Sequence, residues 1–270
     1  MSTAWQYVGP WQPILYFWEG GWLGIGHATG VVPEHAHHAV QVSIGLDGPV
    51  RFRAPDEEWI ECDVGVIRPN APHLFDGCGR ALAMLFLEPE SREGRWLRDS
   101  LREPIAGLPR ERVAGQLPAL LGFREARPGA EAASRLILDV VAALCAGPPP
   151  HHRMDERIAR ALAFIRSHDD GRLSLEVVAR EVFLSPSRLA HLFTDEVGLP
   201  FRRYLLWRKL SRAMQAFGRG ANLSAAAHAA GFSDSAHLTR TWHQMFGMPP
   251  SLMMAMAEFH EIPAPFELLV

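Results

Sequence analysis

Two histidines near the start of the chain have the spacing of a pair of metal ligands. His35 and His37 are two residues apart, so on a β-strand their imidazoles lie on the same face. Imidazole nitrogens bind divalent transition metals such as zinc, nickel, iron or manganese. Neutral histidines also serve as hydrogen-bonding groups at the mouth of a ligand pocket. The pair therefore indicates either a metal site or the polar end of an effector pocket.

The residues around this pair resemble the two sequence motifs of the cupin family. In order, the matching positions are Gly30-x4-His35-Ala36-His37-x3-Gln41-x6-Gly48 and then Gly65-x3-Pro69-x3-His73. The resemblance implies an antiparallel β-barrel in which His73, from a later strand, joins His35 and His37. Gln41 stands where the motif has glutamate, and a neutral amide is a poorer metal ligand than a carboxylate.

Tryptophans are frequent just before the histidines, at Trp5, Trp11, Trp18 and Trp22. Large aromatic side chains near the entrance of a barrel are typical of an apolar pocket that binds a small molecule. The same side chains also pack in ordinary hydrophobic cores. Trp18 and Trp22, which are nearer to the histidines in sequence, are our candidates for the pocket wall.

Two stretches in the second half repeat one pattern. Residues 179–200 and 227–249 align at an offset of 48 residues up to the serines of the two turns, and of 49 residues beyond them. Each copy reads as a helix, a tight turn and an amphipathic helix, which is the helix-turn-helix layout. The apolar stripe of each second helix faces inward and leaves short polar and basic side chains outside, as in helices that read base edges. These outward residues are Ser187, Arg188, His191 and Thr194 in the first copy, and Ser235, Ala236, His237, Arg240 and His243 in the second.

Residues 155–251 resemble the DNA-binding domain of AraC/XylS-type transcription regulators. The second repeat carries most of the likeness, at Gly231-Phe232-Ser233-Asp234, Leu238, Arg240, Phe246-Gly247 and Pro249-Pro250. The resemblance implies two helix-turn-helix units joined by a long helix over residues 201–217, and a cupin-type barrel as the sensor domain. It also implies that the bases are faced by Ser187, Ala190, His191, Ser235, Ala236 and Arg240.

The elements that must position these residues form two halves. Residues 5–90 contain short apolar or alternating stretches separated by Gly, Pro and Asp, which is typical of an antiparallel sandwich or barrel. Residues 91–146 have helical spacing. In segment 130–145 the stripe of Leu136, Val140 and Leu144 predicts a helix that packs on its own domain or on a second copy of the chain. The predicted strands are 24–28, 40–46, 50–54, 59–60, 65–67 and 81–87.

A proline-rich segment, Gly147-Pro148-Pro149-Pro150, predicts an extended spacer between two separate cores. The predicted fold therefore has two domains. A cupin- or jelly-roll-like antiparallel β-barrel with trailing helices covers 1–146, and a linker covers 147–153. An all-α domain with two helix-turn-helix units covers 154–260, and a tail covers 261–270.

Charge divides along the same boundary. Residues 1–150 carry 13 arginines and 18 acidic residues, whereas residues 151–260 carry 14 basic and 10 acidic residues, and a basic half fits contact with DNA phosphates. No apolar run of about 18 residues predicts a membrane span, and the first residues do not resemble a secretory signal. The three widely spaced cysteines favour reduced thiols in the cytoplasm.

We therefore predict a cytoplasmic transcription regulator, not an enzyme, that binds double-stranded DNA as a homodimer. A small-molecule or metal effector in the barrel would control it, and RNA polymerase is a further partner; we predict no membrane partner. One alternative is a cupin metalloenzyme with an accessory helical domain, although its site would more plausibly keep the carboxylate that Gln41 replaces. The other is a constitutive DNA-binding protein whose barrel only dimerises.

Overall fold

The computed structural model describes residues 13–28, 30–145, 154–168 and 173–265, and it has a β-rich part followed by an all-helical part. The two-domain class predicted from the sequence is confirmed. None of the described helices is long and apolar enough to cross a membrane. The described strands are β1 (Ile14–Trp18), β2 (Gly21–Ala28), β3 (Val31–His35), β4 (Val40–Gly45), β5 (Val50–Arg53), β6 (Ile60–Cys62), β7 (Val64–Ile67), β8 (His73–Asp76), β9 (Arg80–Leu87), β10 (Ile105–Leu108) and β11 (Glu258–Glu261).

These strands form two sheets that pack against each other. The large sheet has the order β10-β7-β4-β9-β2-β1-β11, and the small sheet has the order β3-β8-β5-β6. Every described pairing is antiparallel except that of β1 with β11. Between the sheets, Phe52 and Phe75 of the small sheet share a core with Ile67 and Leu82 of the large one. The predicted barrel is therefore two facing sheets around one apolar interior.

Helices follow the sheets in the order that the spacing predicted. A short 3₁₀ helix, Arg110–Val113, lies between the first and second α-helices. The α-helices are α1 (Arg92–Ser100), α2 (Leu117–Ala126), α3 (Ala130–Leu144), α4 (Glu156–Ser167), α5 (Leu175–Glu181), α6 (Pro186–Val197), α7 (Phe201–Gly218), α8 (Leu223–Ala229), α9 (Ser235–Phe246) and α10 (Pro250–Met256).

The first three α-helices cover one face of the large sheet. Ile137, Val140, Val141 and Leu144 of α3 are buried there in one core with residues of β1, β2, β4, β7 and β9. The apolar stripe of α3 is thus buried within its own domain. Leu136, the first residue of the predicted stripe, is half-buried against the same core.

The helical half is built from two units around α7. In the first unit α5 and α6 form the helix-turn-helix, and in the second unit α8 and α9 do. Capping side chains accept hydrogen bonds from backbone N–H groups at the starts of α6 and α9: Ser185 from Arg188 N at 3.2 Å, and Asp234 from His237 N at 2.7 Å. Both helices end at a glycine in the left-handed region, Gly198 and Gly247.

The expectation of two separate cores is wrong. Leu15, Phe17 and Phe86 of the large sheet lie in one buried cluster with Trp207 of α7 and Trp242 of α9. The first unit, by contrast, has its own core around Phe193 and Tyr204. The apolar sheet face opposite α1–α3 must be covered, and the second helix-turn-helix unit covers it. The proline-rich linker lies outside the described residues.

The predicted end of the helical domain at residue 260 is also corrected. Residues of β11 pair in parallel with β1, with Phe259 opposite Leu15 and Glu261 opposite Phe17. Ile262, expected to lie in a tail, is 5% exposed and belongs to the core beneath the barrel helices. The chain therefore returns to the first domain after α10, because β1 would otherwise present an unpaired edge.

Candidate DNA-binding and effector sites

The outer faces of α6 and α9 carry the residues predicted to contact DNA. Leu189 and Phe193 of α6 and Leu238 and Trp242 of α9 are buried, which fixes the opposite faces outward. Exposed residues on those faces are Ser187, Arg188, His191, Thr194, Ala236, Arg240 and His243, whereas Ala190, Ser235 and His237 are half-buried.

Several of these side chains are held by their own helix. Thr194 Oγ1 donates to the Ala190 carbonyl at 2.8 Å, and His191 Nδ1 lies 2.9 Å from the Ser187 carbonyl. The His237 ring packs edge-on against Phe232, with ring centroids 5.1 Å apart. Their positions are therefore partly fixed before any DNA is bound.

The turn of the first unit contains an exposed phenylalanine that was not among the predicted site residues. Phe183 is 87% exposed and has a φ of 55°. Gly231 occupies the equivalent place in the second unit, with a φ of 77°. The turn demands a left-handed residue, and a bulky side chain adopts that conformation only at a cost. The available signal was the phenylalanine that stands in the first repeat where the second repeat has glycine.

His35, His37 and His73 form one buried cluster, as the cupin resemblance implied. β3 pairs with β8 so that His35 lies directly opposite His73, and their ring centroids are 4.3 Å apart. His37 follows two residues after His35, with its ring 5.2 Å from that of His73. One ring nitrogen from each histidine lies within 4.8 Å of those of the other two.

Backbone carbonyls orient all three rings. Nδ1 of His35 lies 2.8 Å from Pro33 O, Nδ1 of His37 lies 3.2 Å from Ala39 O, and Nδ1 of His73 lies 2.9 Å from Ala71 O. Each Nδ1–H therefore donates to a carbonyl, which leaves Nε2 with its lone pair. Nε2 of His73 is buried with no hydrogen-bond partner among the described residues.

The cluster is neutral near pH 7. Burial, together with the neighbouring His35, lowers the pKa of His37 to about 3. Burial also lowers the pKa of His35, and burial with the other two histidines holds the pKa of His73 well below its usual value. A neutral His37 has one N–H, which Ala39 accepts. Its Nε2 lies 2.8 Å from Oε1 of Gln41. Two acceptors cannot bond, so the Gln41 amide is turned over and its N–H₂ donates to Nε2.

An apolar cavity of about 120 Å³ lies between the barrel and the second helix-turn-helix unit. Trp22 and Phe86 of the large sheet line one side, and Trp242 of α9 and Met253 of α10 line another. His35 and Gln41 belong to the lining as well, so the histidine cluster and the cavity share residues. Trp18 does not line this cavity but belongs to the core beneath α1–α3, and Trp5 and Trp11 lie outside the described residues.

The end of α9 touches the histidine cluster. A Cβ placed on Gly247 would lie 2.6 Å from Val32 Cγ1, 3.1 Å from Pro33 O and 3.2 Å from His35 Nδ1. The Phe246 ring is 6.4 Å from that of His37. The second recognition helix is thus in direct contact with β3, the strand that carries His35.

Two buried carboxylates add a polar element to this contact. Glu88 and Glu90 follow β9, and Oε1 of Glu88 accepts from Trp207 Nε1 of α7 at 3.1 Å. Oε1 of Glu90 lies 2.5 Å from Nε2 of the buried His38. The sequence signal was weak: two acidic residues directly after an apolar strand.

Similarity to known proteins agrees with this geometry. Residues 178–256 match a family model described as a helix-turn-helix domain. The arabinose operon regulatory protein of Escherichia coli K12 is 32% identical over 113 residues, which cover 40% of this chain and 38% of that protein. Transcriptional activator RhrA of Rhizobium meliloti is 32% identical over 114 residues, 40% of this chain and 34% of that protein. The chain thus spans less than two-fifths of the length of either relative.

The fold resembles that of ToxT from Vibrio cholerae over almost the whole chain. One ToxT structure has a TM-score of 0.59 at 11% identity and covers 88% of this chain and 98% of its own. Another, with an unsaturated fatty acid bound, has a TM-score of 0.57 at 10% identity and covers 91% and 95%. The fold and the site define a protein that joins a β-barrel to a tandem helix-turn-helix domain. Its helix-turn-helix half resembles the AraC-type regulators in sequence, as the motifs indicated, and its overall fold is that of ToxT.

Proposed function

We propose that the chain is a sequence-specific DNA-binding transcription regulator controlled by a small molecule in the cavity between its two halves. The observation that carries the proposal is the duplicated helix-turn-helix unit, in which both recognition helices present exposed outer faces. The second of these units also closes an apolar cavity against the barrel. The regulatory names of the two relatives and the fatty acid bound to ToxT support the same assignment.

Control follows from where the cavity lies. A ligand there touches the large sheet through Phe86, the second recognition helix through Trp242, and α10 through Met253. It therefore has different contacts when the second unit is docked on the barrel and when it is not. A ligand that binds the two states unequally shifts the population of DNA-binding domains between them.

DNA selection and footprinting test the regulator. The full chain is used, because the second unit shares a core with the barrel. Duplexes enriched from a random pool should be protected from hydroxyl radicals over segments that come in pairs about 10 base pairs apart, one segment for each recognition helix. A scrambled duplex of equal composition is the control. Failure to enrich any sequence, or protection of one short segment only, would contradict the proposal.

A divalent transition metal at His35, His37 and His73 is a second candidate effector, favoured by the buried and unpartnered Nε2 of His73. The three Nδ1–H groups already donate to carbonyls, which is how proteins orient metal-binding imidazoles. Zinc–nitrogen bonds of about 2.0–2.1 Å hold tetrahedral ligands roughly 3.3 Å apart. Ring nitrogens within 4.8 Å therefore need to approach by at most about 1.5 Å. Gln41 would have to rotate to free His37 Nε2, and its oxygen would then face the metal.

Metal retention tests this candidate. Protein purified without chelator and dialysed against zinc or nickel should retain about one equivalent. The His35→Ala/His37→Ala variant should retain none, because one imidazole binds weakly. The matched control His191→Ala/His243→Ala removes two exposed histidines and should retain the metal. Gln41→Glu should bind it more tightly by supplying a negative charge. Wild-type protein that retains no metal would leave the cluster as pocket histidines.

The proposal assigns no reaction to the barrel, and it includes the partners expected from the sequence. Those partners are double-stranded DNA, a second copy of the chain, and RNA polymerase. The proposed location is the cytoplasm, where the DNA is. Sedimentation of the full chain on and off its selected duplex tests the homodimer. Turnover by metal-loaded protein on a panel of small organic acids would instead support the metalloenzyme.

A further inference from the structure

The cavity between the barrel and the second helix-turn-helix unit has no charged side chain in its described lining. Apart from apolar residues, only His27, His35 and Gln41 line it. The twelve residues that precede the lining residue Pro13 contain no Lys, Arg, Asp or Glu either. An anionic ligand held here would lose its hydration and gain no opposite charge, which is strongly unfavourable.

The size of the cavity sets the size of its occupant. Its volume is about 120 Å³, and an engineered apolar cavity of about 150 Å³ in another protein binds benzene. Trp22 and Phe86 stack with ring centroids 4.2 Å apart and present a flat wall. Flexible Met214 and Met253 belong to the opposite wall and adapt to the shape of a ligand. One six-membered ring fits this space, and movement of the two methionines makes room for one or two further atoms.

The polar end of the cavity offers a hydrogen-bond acceptor. His35 uses its Nδ1–H for the Pro33 carbonyl, so its Nε2 carries a lone pair. A hydroxyl on the ligand can donate to that nitrogen, whereas a carboxylate has no proton to donate at neutral pH.

We infer that this cavity takes a neutral monocyclic molecule that carries one hydroxyl, of the benzyl alcohol class, and that it rejects the corresponding carboxylate. The inference rests on the proposed effector role of the cavity and names the chemical class that the effector belongs to. It departs from the fatty acid bound to ToxT, because the described lining here has no cation to receive a carboxylate.

Calorimetric titration of the full chain, with chelator present, tests the class. Three probes of similar size are compared at pH 7.5: benzyl alcohol, toluene and benzoate. Benzyl alcohol should bind most tightly. Toluene should bind roughly fivefold more weakly, the worth of one hydrogen bond. Benzoate should bind roughly 100-fold more weakly or give no measurable heat.

Two pairs of measurements locate the site. Met253→Trp fills the cavity from α10 and should abolish the binding of benzyl alcohol. Met254→Trp, at a neighbouring half-buried position that does not line the cavity, should leave the affinity within about twofold. His35→Phe should make benzyl alcohol and toluene bind equally, because the acceptor is lost and the ring is kept.

The inference is overturned if benzoate binds as tightly as benzyl alcohol, if no probe binds, or if Met253→Trp and Met254→Trp behave alike. DNA footprinting separates it from the proposed function. Tight benzoate binding with an intact footprint removes the ligand class alone. Benzyl alcohol binding in the cavity without any DNA footprint supports the class and removes the regulator.

Discussion

Gly247 offers the sharpest test of whether the second recognition helix is docked on the barrel. It ends α9 with a φ of 69°, and an added Cβ would lie 2.6 Å from Val32 Cγ1 and 3.1 Å from Pro33 O. Gly198 ends α6 in the same way with a φ of 80°, and a Cβ there would meet nothing within 4 Å. The two glycines differ in their surroundings and share their backbone geometry.

Replacing each glycine by alanine separates backbone strain from docking. Gly198→Ala should lower the free energy of unfolding by about 1 kcal/mol, the cost of a left-handed alanine. Gly247→Ala carries the same cost and in addition forces β3 and α9 apart. Overpacking of this kind costs about 1–3 kcal/mol, so the total should be about 2–4 kcal/mol.

Urea denaturation followed by tryptophan fluorescence measures both variants, and a double-mutant cycle identifies the contact. Val32→Ala removes the Cγ1 atom that the new Cβ would strike. The Gly247→Ala/Val32→Ala variant should therefore be more stable than the sum of the single effects predicts, by about 1 kcal/mol. Equal losses for Gly198→Ala and Gly247→Ala, or strict additivity in the cycle, would refute the docked arrangement.

Three further predictions follow from single side chains. Arg240→Ala should weaken binding to the selected duplex by roughly 1–3 kcal/mol and to random DNA far less; equal losses in gel-shift titrations would make Arg240 a phosphate contact. Phe183→Gly should raise the free energy of unfolding by about 0.5–1 kcal/mol, because Phe183 is 87% exposed at a φ of 55°, whereas Phe183→Ala keeps the strain and should not. The pKa of His37 is about 3 in the folded chain and about 6.5 when unfolded. The free energy of unfolding should therefore have its full value above about pH 6.5 and decrease as the pH falls towards 3. The slope is up to about 1.4 kcal/mol per pH unit for each such histidine; a flat profile of urea midpoints, or one that His37→Gln leaves unchanged, would contradict a buried neutral His37.

The sequence by itself determined the features that depend on residues close together in the chain. The caps Ser185 and Asp234 and the terminal glycines Gly198 and Gly247 act within one turn of the helices that they bound, so their spacing alone predicts two helix-turn-helix units. The outward faces follow from the periodicity of the buried stripe. His35 and His37 share a strand face for an equally local reason. Only the cupin resemblance joined His73 to them.

Contacts between distant segments were decided by the tertiary structure. Ile14–Trp18 was not predicted as a strand, since a strand buried on both faces shows no alternation of apolar and polar residues. β3, β8, β10 and β11 are only four or five residues long, which is too short for a clear periodic signal. The pairing of β11 with β1 depends on the unpaired edge of that strand, which no sequence pattern near Glu258 records.

The same holds for the cavity. Its walls come from strands and helices that lie far apart in the chain, such as Trp22 and Trp242. The linker composition suggested independent cores, because proline-rich segments resist regular structure wherever they occur. Whether two domains then dock depends on the complementarity of two apolar surfaces, and that complementarity exists only once both domains have folded.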